Sequence, residues 1–192
     1  MEPNMFCYQC QETAKGTGCI LKGVCGKESH TAQAMDLLLF VVRGISVVAD
    51  TLRKADCPVS EEVNVFVTDA LFCTITNANF DDESILKRVD KGITMRNGLI
   101  QEAKHNKVLL PKVDELTWQG TRDDYAGKAK TVGVLREQNE DLRSLKELLV
   151  YGLKGMAAYL EHVMRLGFND DTVHVFMQRA LATIAVESLS AE

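Results

Sequence analysis

From about Ser29 onward, apolar and polar residues alternate with the period of an α-helix. In the most apolar segment, hydrophobic residues recur three and four positions apart and form one stripe, at Leu38, Val41, Val42, Ile45 and Val48. We find no convincing run of segments with the strict alternation of β-strands. The pattern therefore predicts an all-α protein.

Helix starts are marked by a polar residue followed by two acidic residues. The polar residue is a predicted N-cap, and the acids lie near the positive end of the helix dipole. This signature begins at Ser60, Asp81, Asn139 and Asn169. Pro58 separates one helix from the next. The stretch 108–120, which contains a proline, a tryptophan and a glycine, is predicted to be a linker.

A weak internal repeat relates two of the predicted helices. The segment Asp36–Asp50 aligns without a gap to Glu147–Glu161, and Val65–Leu71 aligns to Val175–Leu181. In the first alignment an acidic residue, a basic residue and a glycine agree in register, namely Asp36 with Glu147, Arg43 with Lys154 and Gly44 with Gly155. Two amphipathic helices can also look alike by patterning alone. We favour a true repeat, which predicts two similar three-helix bundles.

These patterns divide the chain into four parts. Residues 1–28 form a cysteine-rich loop, 29–107 the first helical bundle, 108–120 the linker and 121–192 the second bundle. The 192 residues are enough to bury a real hydrophobic core, so the fold does not depend on staples.

Charge and hydropathy exclude several classes of partner. The formal net charge of −5 argues against a nucleic-acid or anionic-membrane surface as the main partner. The longest apolar run, Leu37–Val42, ends at Arg43 and is far short of a membrane span. The first residues, MEPNMF, have neither a basic nor a long apolar region of the kind found in secretory signals. We therefore expect a soluble, cytoplasmic protein.

Four of the six cysteines lie in the N-terminal loop with the spacing C-x2-C-x8-C-x5-C, at Cys7, Cys10, Cys19 and Cys25. Clustered thiols in a reducing compartment bind metal more often than they form disulfides. Four thiolates suit an iron–sulfur cubane or a tetrahedral zinc ion, and a disulfide pair is the remaining interpretation. Glycines in the loop let peptide N–H groups approach the sulfurs, and three lysines, Lys15, Lys22 and Lys27, can offset thiolate charge.

The loop and its flanks resemble a known family. The stretches MFCYQCQETAKGTGC and KGVCGK, followed by TITNANFDD, TWQG and the segment from Gln138 to Gly155, are similar to the N-terminal part of the hybrid cluster proteins, also called prismane proteins or hydroxylamine reductases. The resemblance covers essentially the whole chain. It implies that Cys7, Cys10, Cys19 and Cys25 bind a [4Fe–4S] cluster, and that the domain consists of two helical bundles.

What this chain lacks matters as much as what it shares. Members of that family are far longer, and they reduce hydroxylamine or nitric oxide at a second, hybrid cluster whose His, Glu and Cys ligands come from later domains. The two further cysteines, Cys57 and Cys73, do not match that motif, and we expect them to be unpaired thiols that act as small hydrophobes. The chain thus resembles the first domain alone, and we expect no catalytic residue and no activity from it alone.

The resulting prediction is an iron–sulfur electron-transfer module that receives electrons from a redox donor protein. The alternative from a different class is a zinc-stabilised helical interaction domain without redox activity. A stand-alone reductase is disfavoured, because four thiolates leave no iron open to substrate. We expect no nucleic-acid or membrane partner, and self-association through any surface that later domains normally cover.

Overall fold

The computed structural model describes residues 5–10, 13–75 and 78–186. This part of the chain contains seven α-helices, which are α1 (Ser29–Lys54), α2 (Glu61–Cys73), α3 (Asp82–His105), α4 (Asp114–Thr117), α5 (Arg122–Val132), α6 (Glu140–Arg165) and α7 (Asp171–Val186). Two short 3-10 turns span Ala14–Gly16 and Val134–Arg136. The described residues contain no β-strand, only one isolated antiparallel bridge. The all-α prediction is confirmed.

The central element is α1. Eighteen of its 26 residues are buried, and α3, α5 and α7 pack around it. The predicted single stripe therefore understates the burial of α1. Leu37, Leu38 and Phe40 project from different faces of the helix, and all three are fully buried. By length and composition α1 is the one described helix that could cross a membrane. However, 83% of its most apolar window is buried inside the protein, as expected for a core helix.

The predicted helix caps are confirmed in part. Asp81 and Asn139 each accept a hydrogen bond from the backbone N–H three residues later, at 3.1 and 3.0 Å. Ser60 is the N-cap of α2, but its side chain makes no capping hydrogen bond. At the start of α7 the side chain of Asp170, not Asn169, accepts the bond from a backbone N–H, at 2.8 Å. The Asn169 side-chain oxygen instead lies 2.7 Å from Nε2 of His174, a buried residue of α7.

The repeat-related segments lie in α1 and α6, which are both 26 residues long. α1 packs against α7, and α2 packs against α6. Helices of the two predicted bundles are therefore in direct contact with each other. One large hydrophobic cluster includes residues from Ala34 to Ile184, and a second, small cluster at the loop contains Met5, Cys19 and Ala32. Two separate bundles are therefore not confirmed, and the division into 29–107 and 121–192 stays a prediction from sequence.

The predicted linker forms part of the wall around the core. It contains α4, and the fully buried Arg96 of α3 donates hydrogen bonds to the carbonyl oxygens of Glu115 at 2.8 Å and Trp118 at 2.7 Å. The Trp118 ring packs edge-on against Phe40, with 6.0 Å between ring centroids. These contacts fasten the segment to α1 and α3.

Candidate metal centre

Two of the four predicted ligands are held together by the backbone. The N–H of Cys7 donates to the carbonyl oxygen of Cys19 at 3.0 Å, and the N–H of Cys19 donates back to Cys7 at 2.9 Å. Residues that exchange both bonds in this way have Cα atoms about 5.5 Å apart and side chains on the same face. The antiparallel bridge thus brings together two thiols that lie well apart in the loop sequence.

A tight turn positions the fourth cysteine. The N–H of Gly23 donates to the carbonyl oxygen of Lys27, and the N–H of Gly26 donates to that of Gly23, both at 2.8 Å. A Cβ atom at Gly23 would lie 3.1 Å from the sulfur of Cys25 and 3.2 Å from the backbone nitrogen of Lys27. A side chain at this position would therefore press on the Cys25 thiol and the Lys27 backbone.

Phe6 anchors the loop at its other end. Gly18 has a φ of +120°, which side chains disfavour, and a Cβ atom there would lie 2.8 Å from the Phe6 ring. The ring therefore packs directly on the loop backbone next to Cys19, which is buried. Tyr8, by contrast, is half-exposed, and its hydroxyl donates to the carbonyl oxygen of Gly16 at 3.3 Å.

The cysteines differ in exposure. Cys19 is buried, whereas Cys7, Cys10 and Cys25 are partly exposed, and no disulfide links them. Burial raises the pKa of the Cys7 thiol, against the lowering effect of a backbone hydrogen bond from Gln9. Within the described ranges, no three Cys, His, Asp or Glu side chains converge closely enough to hold one metal ion. The structure pairs Cys7 with Cys19, and the four-ligand assignment stays a prediction.

Lys27 is the charged group shared by these thiols. Burial lowers the pKa of its ammonium, and the thiols of Cys25, Cys7, Cys73 and Cys10 oppose that effect through their negative charge when ionised. Three of the four predicted ligands, Cys7, Cys10 and Cys25, therefore interact electrostatically with Lys27. A fifth cysteine, Cys73, does so as well.

That fifth cysteine was not expected near the loop. Cys73 lies at the end of α2, is buried, and accepts a hydrogen bond from the Asn79 amide at 3.4 Å. Burial raises the pKa of its thiol. No spacing rule links Cys73 to the N-terminal motif, so only the packing of α2 reveals its position.

A second group of charges, which includes Asp36 and Lys154, also acts on the Cys7 thiol. Lys154 of α6 donates a hydrogen bond to the side-chain oxygen of Gln9 in the loop. Burial lowers the pKa of Lys154 to about 8, against the carboxylates of Glu147 and Asp36 and the thiol of Cys7. Burial also raises the pKa of Asp36 to about 7, and the Glu147 carboxylate raises it further.

The members of this group are the residues that the repeat aligned. The repeat matches Asp36 and Arg43 of α1 to Glu147 and Lys154 of α6. The charges of Arg43, Glu147 and Lys154 all act on Asp36. The sequence comparison paired these residues as equivalents. It did not indicate that they face one another beside the cysteine loop.

A solvent-accessible cavity of about 630 Å³ lies between the loop and α6. It is lined by loop residues that include Tyr8 and Cys10, and by Arg143, Glu147 and Tyr151 of α6. Cys10 is thus the predicted ligand that borders open space, whereas Cys19 is enclosed.

The donor chemistry of this loop fits a thiolate-bound metal group. Soft sulfur ligands select iron–sulfur clusters or zinc over hard cations such as magnesium. The Lys27 ammonium lowers the pKa of the Cys7 thiol, against the larger raising effect of burial, and the ionised thiolate is the form that binds metal. Cys7, Cys10, Cys19 and Cys25 are the residues that would hold such a group.

Comparison with known proteins confirms the predicted resemblance. Residues 5–191 match the Prismane/CO dehydrogenase family. A hydroxylamine reductase of Bacteroides thetaiotaomicron is 53% identical over 190 residues, which are 98% of this chain and 34% of that protein. Hydroxylamine reductases of Porphyromonas gingivalis and Desulfitobacterium hafniense are 48% and 46% identical, over 100% and 98% of this chain and 35% of each relative. The chain spans about a third of the length of these curated relatives, and it belongs to the Prismane/CO dehydrogenase family.

Proposed function

We propose that this chain binds a [4Fe–4S] cluster through Cys7, Cys10, Cys19 and Cys25 and serves as an electron-transfer module. The observation that carries the proposal is the reciprocal backbone pairing of Cys7 with Cys19, and the thiols of three of the four cysteines act on the charge of one buried lysine, Lys27. When bound, such a cluster accepts and returns one electron without making or breaking substrate bonds. The proposal places the protein in the cytoplasm, where clustered thiols stay reduced.

The surrounding residues divide the work of holding and reaching the cluster. Phe6 and the Cys7–Cys19 bridge fix the enclosed side of the loop, where Cys19 is buried. Cys10 borders the solvent-accessible cavity beside α6. We propose that a redox donor protein approaches on this open side, because electron transfer is fastest where the least protein intervenes.

The relatives suggest the larger setting. They are named hydroxylamine reductases and are about three times as long as this chain. We propose that the chain corresponds to the electron-relay part of such a protein and that substrate is bound by the remainder. Four cysteine ligands would fill the coordination sites of the cluster, so we assign no catalytic residue within these 192 residues.

Metal analysis tests the proposal. Protein purified without oxygen is expected to contain iron and acid-labile sulfide in equal amounts, to absorb near ~400 nm as iron–thiolate sites do, and to show a paramagnetic signal after one-electron reduction. Zinc without iron or sulfide would instead support the helical interaction domain without redox activity, because zinc has no redox chemistry.

Ligand substitutions sharpen this test. Cys19→Ser should lose most of its iron, because a hard hydroxyl replaces a soft thiolate. Cys57→Ala is the control, because Cys57 lies outside the N-terminal loop, after α1. The one described hydrogen bond of its thiol is to the carbonyl oxygen of Ala55. Full iron content in Cys19→Ser, or equal loss in both variants, would contradict the ligand assignment.

An activity assay separates relay from catalysis. With reduced viologen as electron donor, the loaded chain should take up and release electrons reversibly but consume hydroxylamine at a negligible rate. A full-length relative serves as the positive control. Comparable turnover per cluster would show that substrate binds within this chain after all.

We also propose that the rest of a longer polypeptide covers one side of α6. Residues three and four apart leave an apolar stripe exposed there, namely Leu145, Leu148, Leu149, Tyr159, Val163 and Leu166. Gly152 and Gly155 on this stripe have open space where a Cβ would be, which allows close approach of another backbone. The end of α7 lies near the first turn of α6, where Ile184 and Arg143 line one cavity.

A further inference from the structure

Lys27 is a buried ammonium without a carboxylate partner among the described residues. Only 3% of the residue is exposed. Its Nζ donates to the carbonyl oxygen of Ile75 at 3.2 Å and lies 5.6 Å from the centroid of the Phe80 ring. Both contacts orient the ammonium, but neither carries a negative charge to neutralise it.

An uncompensated buried charge is costly. Removing an ammonium from water is unfavourable unless an opposite charge lies close by. The groups around Lys27 that can carry such charge are thiols: those of Cys7, Cys10, Cys25 and Cys73 all act on it. Among the described residues, the negative charge that acts on Lys27 therefore comes from these thiols when they are ionised.

Two other lysines show why this position is special. Lys22, in the same loop, is exposed and pairs with Glu28 at 2.5 Å, so water and a carboxylate screen it from the thiols. Lys154 is buried near Cys7 but faces the carboxylates of Asp36 and Glu147. Lys154 and Lys27 both act on the Cys7 thiol, but only Lys154 of the two has carboxylates among the charges that act on it in the described part of the chain.

We propose that Lys27 is the internal counter-charge of the cysteine cluster and raises the reduction potential of the iron–sulfur group that the cluster holds. This inference rests on the proposed function. Reduction brings one electron from an external low-potential donor into the site and adds one negative charge, with no bond made or broken. A fixed ammonium that acts on the ligand thiols stabilises the reduced state more than the oxidised state, since attraction grows with the negative charge. Low-dielectric surroundings strengthen the effect at Lys27 relative to an exposed lysine.

The experiment compares Lys27→Met with Lys22→Met in the full chain. Each variant removes one positive charge from the same loop, one at the buried and one at the exposed position. After anaerobic purification, iron and sulfide are quantified, helix content is checked by circular dichroism, and the midpoint potential is measured by redox titration with paramagnetic resonance detection. Lys27→Arg, which keeps the charge, is the conservative variant.

We expect Lys27→Met to hold its cluster at a more negative midpoint potential. At the wild-type midpoint, its reduced-to-oxidised ratio should fall at least about tenfold, which is about 59 mV for a one-electron couple. Lys22→Met and Lys27→Arg should stay close to wild type. If Lys27→Met loses the cluster while Lys27→Arg retains it at the wild-type potential, the counter-charge role is still supported.

The opposite results are equally clear. A wild-type midpoint in iron-replete Lys27→Met would overturn the inference and leave the proposed function standing. Loss of the cluster from both Lys27 variants would also overturn it, because the site would then require the shape of lysine and not its charge. A wild-type chain that holds zinc, or no metal, would overturn the proposed function and this inference together, and the iron and sulfide analysis identifies that case.

Discussion

The two glycines that the internal repeat aligns should respond differently to substitution by alanine. Gly44 lies in the middle of α1, and Gly155 lies at the equivalent place in α6. A Cβ atom at Gly44 would lie 2.5 Å from the carbonyl oxygen of Glu115 and 3.1 Å from Cδ of Arg96, whereas one at Gly155 would meet nothing within 4 Å. The same substitution therefore adds a methyl group to a filled space in one helix and to an open surface in the other.

The magnitudes follow from two opposing effects. Alanine is favoured over glycine inside a helix by about 1 kcal/mol, and this gain applies at both positions. At Gly44 the methyl group must also displace the backbone of α4, which is held by the hydrogen bond from Arg96 to Glu115. Overpacking of this kind costs about 1–3 kcal/mol. We therefore expect Gly155→Ala to gain about 1 kcal/mol, and Gly44→Ala to lie about 1–3 kcal/mol below it.

Urea unfolding followed by far-UV circular dichroism measures this difference, with both variants in the same metal state. In thermal unfolding, a difference of about 2 kcal/mol corresponds to about 4–8 °C in Tm for a chain of this size. If Gly44→Ala is as stable as Gly155→Ala, then α4 does not pack against Gly44 as described. Equal destabilisation of both would instead indicate that Gly155 is also closely packed.

Three further predictions concern caps, pH and the exposed side of α6. Asn139→Ala should destabilise the protein by about 1 kcal/mol, because the Asn139 side chain caps α6. Ser60→Ala removes no capping hydrogen bond and should change the free energy of unfolding by only a few tenths of a kcal/mol. Equal effects of the two substitutions in urea unfolding would contradict this difference. The pKa of Asp36 rises from 3.8 to about 7 on folding, so its contribution to stability is full below 3.8 and is lost as pH rises through 7. The stability of Asp36→Asn relative to wild type should therefore grow across this pH range in urea titrations, and a pH-independent difference would refute the assignment. Leu148→Glu should reduce concentration-dependent self-association, measured by analytical ultracentrifugation, without loss of helix content; unchanged association would show that the apolar stripe of α6 is not the contact surface.

Much of the local structure could be predicted from the sequence because its causes are local. Helical periodicity identified the long helices. The side chains of Asp81 and Asn139 each accept a hydrogen bond from the backbone three residues later, as the predicted N-caps should. The cysteine spacing and its flanks also identified the family, which the comparison with hydroxylamine reductases confirmed. A short motif is enough for that purpose, since ligand type and spacing are properties of one continuous segment.

The tertiary structure alone decided which charges are buried and which glycines are enclosed. By sequence, Lys15, Lys22 and Lys27 are three equivalent lysines in one loop, yet only Lys27 is buried among thiols. Gly44 and Gly155 align in the repeat, but only Gly44 lies under another segment, because α1 is surrounded by helices while α6 keeps one side exposed. Burial and Coulomb interactions depend on groups that are distant along the chain and close in space. Packing therefore creates these differences, and local residue patterns do not contain them.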